Sequence, residues 1–201
     1  MLTGIILAGG QNRRMEGKLK ALLEFNSESI LERQLREMYR VCDEIIIVSN
    51  QPDRIPKDER IHQIVSDRIP GKGPLSGMHA GFEAASNSYI WVVACDMPLI
   101  SNQASILLLD EMKKENADAA IPYIEDGLHP LHGVYRRAVA AKIESSLKKS
   151  EYKVQAFLQK IQCQIIPEEV FIGNRMETSF VTNVNTPREY KNLLQKMEEY
   201  G

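Results

Sequence analysis

The chain predicts an α/β fold: a mostly parallel sheet with helices on both faces. Three observations carry that expectation. Ile45-Ile46-Ile47-Val48 and Ile90-Trp91-Val92-Val93-Ala94 are apolar at successive positions, as in strands covered on both sides. Strand-like and helix-like segments alternate along the whole length, as a sheet built from βαβ units requires. The first apolar run leads straight into a glycine pair and then into cations, and open α/β sheets bind ligands at such carboxyl ends of strands.

The elements follow in order. Apolar runs place strands at 4–8, 44–49, 63–66, 89–95, 117–122, 131–135, 163–166 and 180–184. Ser29-Ile30-Leu31-Glu32 is a capping box, and Ile30, Leu31, Leu35, Met38 and Cys42 mark the inward face of the helix it opens. Further helices are expected at 74–85, 101–115 and 138–147, and Val154, Phe157, Leu158 and Ile161 indicate another. Thr186-Pro187-Arg188-Glu189 supplies an N-cap, a proline at the first helical position and a glutamate at the third. The last helix should then turn Tyr190, Leu193, Leu194 and Met197 inward. No repeat, low-complexity tract or linker interrupts the series, so residues 1–201 are read as a single domain.

Composition excludes several function classes. At 201 residues the chain can bury a sizeable core, and 43% hydrophobic with 26% charged residues is the balance of a globular protein. A net charge of −2 argues against a general nucleic-acid binder, because phosphate backbones are gripped by a basic surplus. Positive charge is local instead, at Arg13, Arg14, Lys18 and Lys20. Cys42, Cys95 and Cys163 are far apart without CxxC spacing, so neither a disulfide framework nor a zinc site is expected. The N-terminal run lacks a basic flank and is too short for a signal peptide, and no run reaches membrane-spanning length. A cytoplasmic protein is the expectation.

Leu7-Ala8-Gly9-Gly10, with the cations that follow, reads as a phosphate-gripping loop. Glycine lets backbone N–H groups come close to a ligand, and Arg and Lys supply the charge a polyphosphate demands. Two better-known phosphate loops are absent. Gly17-Lys18 is followed by Leu19 with no Ser or Thr, and Asn12 stands where a P-loop needs its first glycine. Gly71-Lys72-Gly73-Pro74-Leu75-Ser76-Gly77 is one residue longer than a dinucleotide fingerprint and is interrupted by Pro74.

Leu7-Ala-Gly-Gly-x-x-x-Arg14-Met15 with Lys20 resembles the nucleotidyltransferase signature. More narrowly it resembles the molybdenum cofactor guanylyltransferase family, the MobA-like nucleotidyltransferases. Asp67, Gly73-Pro74-Leu75-Ser76-Gly77-Met78, Cys95-Asp96-Met97-Pro98 and Asn183-Val184-Asn185-Thr186-Pro187 fit the same family in order, with His129-Pro130 between them. The closing Asn-Val-Asn-Thr-Pro is the most discriminating of these. The chain departs from the pattern at Glu16, where relatives have Gly, and at Leu19, where they have Asp, which leaves Lys18 as a possible substitute for Lys20.

The resemblance implies a single-domain, Rossmann-like nucleotidyltransferase fold. Its N-terminal half, about 1–100, would bind the nucleotide, and its C-terminal half, about 101–201, the acceptor. The implied reaction transfers GMP from GTP to the molybdopterin cofactor, releasing pyrophosphate, with Mg²⁺ as cofactor and transient contacts with other proteins of the same biosynthesis. Leu7, Ala8, Gly9, Gly10, Lys20, Asp67, Gly73, Pro74, Leu75 and Asp96 would bind the nucleotide. Lys20, Asp96 and Arg14 would be catalytic, and Asp96 would hold the metal. Asn183, Asn185 and His129 would meet the acceptor.

The residue chemistry agrees, with alternatives beside it. Asp96 ends an apolar strand, where a carboxylate can hold Mg²⁺ against a triphosphate; the alternative is a residue that caps the next turn. Lys20 can offset charge on leaving pyrophosphate. A carboxylate at Asp67 suits the guanine N1–H and amino donors. Asn183 and Asn185 flank Val184, so both amides project away from the core if Val184 points inward on a strand; the alternative is a strand end leading into the Thr186 cap. His129 and His132 are expected on a loop near the acceptor, and the run 148–153 on a solvated face. The remaining alternatives are a cytidylyltransferase, transfer to another phosphorylated acceptor, and a non-catalytic GTP-binding module.

Overall fold

Alternation of side chains decides how the sheet is built. The computed structural model describes residues 1–9, 20–25, 27–67, 69 and 71–200. Its first strand, β1 (Leu2–Leu7), sends Leu2 and Ile6 into one apolar layer and Ile5 and Leu7 into the other. A short antiparallel ladder, β2 (Glu24–Phe25) with β3 (Glu28–Ser29), then leads into α1 (Ile30–Tyr39). β4 (Glu44–Val48), β5 (Gln63–Val65), α2 (Pro74–Ala84) and β6 (Tyr89–Ala94) complete the first half. The second half runs α3 (Asn102–Lys114), β7 (Ala119–Ile124), β8 (Gly127–Leu128), β9 (His132–Arg136), α4 (Ala140–Lys148) and α5 (Val154–Leu158). It ends with β10 (Cys163–Pro167), α6 (Glu168–Gly173) and α7 (Pro187–Tyr200).

The main sheet runs β10-β7-β9-β6-β1-β4-β5, with β8 beside β7. β1 is parallel to β4 and β6, β4 to β5, and β7 to β10. β9 is antiparallel to both β6 and β7. The reversal follows from the short path between β7 and β9, since a few residues can join only antiparallel strands. Glu125 and Asp126, at φ 49° and 58°, make the turn from β7 into β8.

Helices cover both faces, as the doubly apolar strands require. Trp91 and Val93 of β6 share a layer with Leu31, Leu35 and Met38 of α1, Leu108 and Met112 of α3, and Phe171 of α6. Ile90 and Val92 share the opposite layer with Leu75, Met78 and Phe82 of α2, Ile143 and Leu147 of α4, and Phe157 of α5. The capping box forms as the sequence indicates: Ser29 Oγ accepts from the Glu32 amide at 3.2 Å, and Glu32 accepts from the Ser29 amide at 2.7 Å.

Three expectations need correction. Residues 180–184 are not a strand: Thr178–Val181 is a 3₁₀ turn, with Phe180 and Val181 both buried. Phe180 packs against Phe171 and His132, 5.1 and 4.7 Å between ring centroids, and a straight strand would have turned Phe180 and Val181 to opposite sides. The last helix starts as expected, with Thr186 Oγ1 accepting from the Glu189 amide, yet Tyr190, Leu193 and Leu194 are only half-buried. His132 is not a loop residue; it opens β9 and is fully buried.

Candidate active site

Parallel strands deliver their carboxyl ends to one edge of the sheet, and there a cleft of about 440 Å³ opens. Leu7 and Gly9 line it from the end of β1, Val48, Ser49 and Asn50 from β4, Asp67 from beyond β5, and Ala94, Cys95 and Asp96 from β6. Because β9 runs the other way, Leu131 just before it reaches the same edge.

Asp96 sits in the turn after β6, held by backbone bonds from three directions. The Cys95 amide donates to Leu7 O at 3.1 Å, the Met97 amide to Ala94 O at 3.3 Å, and the Val184 amide to Asp96 O at 2.8 Å. Lys20 opens a 3₁₀ turn and reaches across: its Nζ lies 3.1 Å from Asp96 Oδ2 and 2.7 Å from Asn185 Oδ1. Lys20, Asp96 and Asn185, separate in sequence, form one contact. Asn183 also lines the cleft, but its amide donates locally to Val181 O at 3.3 Å. Val184 between them is 1% exposed, so the expected alternation of side chains survives without a strand.

Asp67 is fixed by three partners. Its amide donates to Asn50 Oδ1 at 3.0 Å, and its Oδ1 accepts from the Ile69 amide at 2.9 Å and from the Ser76 hydroxyl. The approach to α2 needs glycine: Gly71 and Gly73 have φ of 78° and 88°, a region costly for L side chains. Gly73 is the N-cap and Pro74 follows, so no side chain caps this helix. Gly73, Pro74 and Gly77 line the cleft, so the helix starts at its wall, and helix N-termini favour anions.

The remaining expected residues are placed as follows. Ala8 is 6% exposed and its amide donates to Val48 O at 2.8 Å, so that N–H is engaged in the sheet. Leu75 has a fully buried side chain and can meet a ligand only through backbone. Gly10, Arg14 and the neighbouring Arg13 and Lys18 lie outside the described residues. His129 donates from Nε2 to Ile124 O at 3.0 Å, across the β7–β8 turn, and does not line the cleft. His132 accepts from the Ser101 amide at 3.2 Å through Nε2 and stacks edge-on with Trp91. Burial pushes its pKa down to about 3, so it stays neutral.

Among the described residues no three His, Cys, Asp or Glu side chains gather as a metal cluster. One carboxylate with neighbouring amide oxygens still fits a hard divalent cation, which takes one or two carboxylates plus phosphates and water. Cys95 is no nucleophile: burial raises its pKa to about 12, leaving the neutral thiol.

Sequence reasoning missed several contributors. Gln34 is wholly buried, and its Nε2 donates to Ala94 O and Met97 O, each at 2.8 Å. A signal existed, a polar residue within the apolar stripe of α1. Asn50, which holds Asp67, gave none, and Ser76 stood within the matched 73–78 motif without its role toward Asp67 being read. A second hollow of about 430 Å³ adjoins the cleft, sharing Gly73, Pro74 and Leu131 with it. Lys72 lies there, its Nζ 5.1 Å over the Tyr152 ring, with Lys153 nearby. Part of the run expected to be merely solvated therefore forms a wall.

Known proteins are similar to this chain in sequence and in fold. Residues 4–165 match the family model described as a MobA-like NTP transferase domain. A probable molybdenum cofactor guanylyltransferase of Pelotomaculum thermopropionicum is 36% identical over 189 residues, covering 93% of this chain and 89% of that protein. The structure of molybdopterin-guanine dinucleotide biosynthesis protein A from Archaeoglobus fulgidus superposes with a TM-score of 0.83 at 22% identity, over 98% of this chain and 99% of that one. A 2-C-methyl-D-erythritol 4-phosphate cytidylyltransferase from Thermus thermophilus gives 0.71 at 13% identity, over 96% and 98%. At these identities both likenesses are of fold.

Proposed function

As the chain belongs to the MobA-like NTP transferase family, we propose that it transfers GMP from GTP to the terminal phosphate of the molybdopterin cofactor, giving the guanine dinucleotide form and pyrophosphate. The observation that carries this reading is the convergence of Lys20, Asp96 and Asn185 in one cleft with Asp67.

An oxygen of the acceptor phosphate attacks the α-phosphorus of GTP, the α–β bridging bond breaks, and pyrophosphate leaves with that bond pair. The nucleophile is already anionic, so positioning and charge neutralisation are the main tasks. Lys20 places its ammonium against the phosphates, and the N-terminus of α2 with Gly9 supplies backbone donors. Asp96, with Asn185 or Asn183, would hold Mg²⁺, which when bound screens and polarises the phosphate oxygens. Asp67, with Oδ1 taken by Ser76, turns Oδ2 to the guanine N1–H and amino group. The acceptor enters by the second hollow, where Lys72 and Lys153 provide positive charge beside Tyr152. His129, next to the Pro130 that lines this hollow, is assigned to the acceptor as well.

We place the protein in the cytoplasm, with transient partners that hand over the labile acceptor. The free thiols at Cys42, Cys95 and Cys163 suit a reducing compartment, and no helix among the described residues is long and apolar enough to cross a membrane.

Equilibrium binding of GTP, CTP, ATP and UTP, with and without Mg²⁺, tests the reading in wild type and Asp96→Ala. Selective GTP binding that needs Mg²⁺ and weakens in the variant is expected. A preference for CTP would keep the mechanism and change the product; absence of any nucleotide binding would overturn the proposal.

A further inference from the structure

Gln34 stands one helix away from the reacting groups, yet its carboxamide brackets Asp96. One nitrogen donates to Ala94 O, the last residue of β6, and to Met97 O, each at 2.8 Å. Only Cys95 and Asp96 lie between those carbonyls. Gln34 Oε1 is buried without a partner among the described residues, and an unpaired buried acceptor works against stability. A Met or Leu would fill the space without that cost, so the value of glutamine here lies in its two donated bonds.

The same helix is tied to the other half of the ion pair. The Ile30 amide at its start donates to Leu23 O at 3.0 Å, and the Leu23 amide donates to Lys20 O at 3.1 Å. α1 therefore spans from the Lys20 turn to the Asp96 turn, with Gln34 as the contact at the second. We propose that Gln34 is a positioning residue for nucleotidyl transfer: it clamps the turn after β6 and so fixes the Asp96 carboxylate opposite Lys20. The inference rests on the reading of Asp96 as a catalytic group.

The test compares Gln34→Met, which keeps length and loses both donors, with Met38→Ala on the same helix, which opens a cavity away from Asp96. In Gln34→Met, kcat for pyrophosphate release should fall by about tenfold to a hundredfold, as expected for a reacting group displaced by a fraction of an ångström. KM for GTP should stay within about twofold, the pattern of a loss confined to the transition state. Amide hydrogen exchange at Cys95 and Met97 should quicken in Gln34→Met and not in Met38→Ala. The proposal is overturned if Gln34→Met keeps wild-type kcat, if both variants lose kcat in proportion to their loss of stability, or if exchange at the turn is unchanged. Wild-type protein that releases no pyrophosphate would sink the functional reading, while the exchange measurement would still decide the clamp.

Discussion

Lys20 Nζ lies 3.1 Å from Asp96 Oδ2, although 76 positions separate the two residues. Their side chains are 18% and 19% exposed, so water still screens the pair and it adds little to stability. Its significance is placement. A cation and a carboxylate are held at the same strand end: in the proposed reaction the first meets phosphate oxygens and the second would hold the divalent cation that accompanies them.

Lys20→Ala should therefore separate activity from stability. The change in unfolding free energy should stay below about 1 kcal/mol, whereas pyrophosphate release should fall by about 10²–10³-fold, the scale for removing one oriented donor to developing charge. Lys20→Arg should not restore the rate, since a planar fork cannot reproduce a point charge between Asp96 and Asn185. Chemical denaturation and a pyrophosphate-release assay check the two arms.

Base choice should depend on how Asp67 is held as well as on its charge. Asp67→Asn should cut the preference for GTP over CTP and ATP by about 10²-fold or more, since a hydrogen-bond acceptor matched to the guanine donors is lost. Ser76→Ala should cut it less, by about tenfold at most, the equivalent of one neutral hydrogen bond. Competition binding among the nucleotides measures both.

His132 should make the fold sensitive to acid. An imidazole whose pKa is about 3 when folded and 6.5 otherwise takes up its proton only on unfolding. Its contribution is full above pH 6.5 and declines as the pH drops toward 3, by up to about 1.4 kcal/mol per pH unit. Urea unfolding at pH 7 and pH 5 should show that decline in wild type and a flatter profile in His132→Leu.

Gly81 should not tolerate a methyl group. A Cβ there would meet Ile5 Cδ1 at 2.7 Å, Ile5 Cγ2 at 3.0 Å and Val48 Cγ2 at 3.2 Å. Alanine gains about 1 kcal/mol over glycine inside a helix, but overpacking a close contact costs about 1–3 kcal/mol. Ile5 is itself fully buried and has no room to yield, so the clash wins, and calorimetry should show Gly81→Ala melting several degrees lower. Gly9→Ala, with nothing within 4 Å of its Cβ, should leave the melting temperature unchanged.

The sequence alone determined what short-range physics controls. Doubly apolar runs at Ile45–Val48 and Ile90–Ala94 meant strands covered on both faces, and the Ser29–Glu32 box marked the start of α1 before any fold was known. Asp96 was legible because a carboxylate just after an apolar strand falls at the ligand edge of an open sheet, Asp67 only through the family resemblance, and the positive φ of Gly71 and Gly73 was seen only in the structure. Contacts between distant segments were decided only by tertiary packing. The antiparallel course of β9, the burial of His132 against Trp91 and Phe180, and the 3₁₀ turn at Thr178–Val181 each depend on which surfaces meet. So do the grip of Gln34 on the Asp96 turn and of Ser76 on Asp67. Periodicity records which face of an element is apolar; it carries no record of the partner across the core, and the geometry of this site is set by those partners.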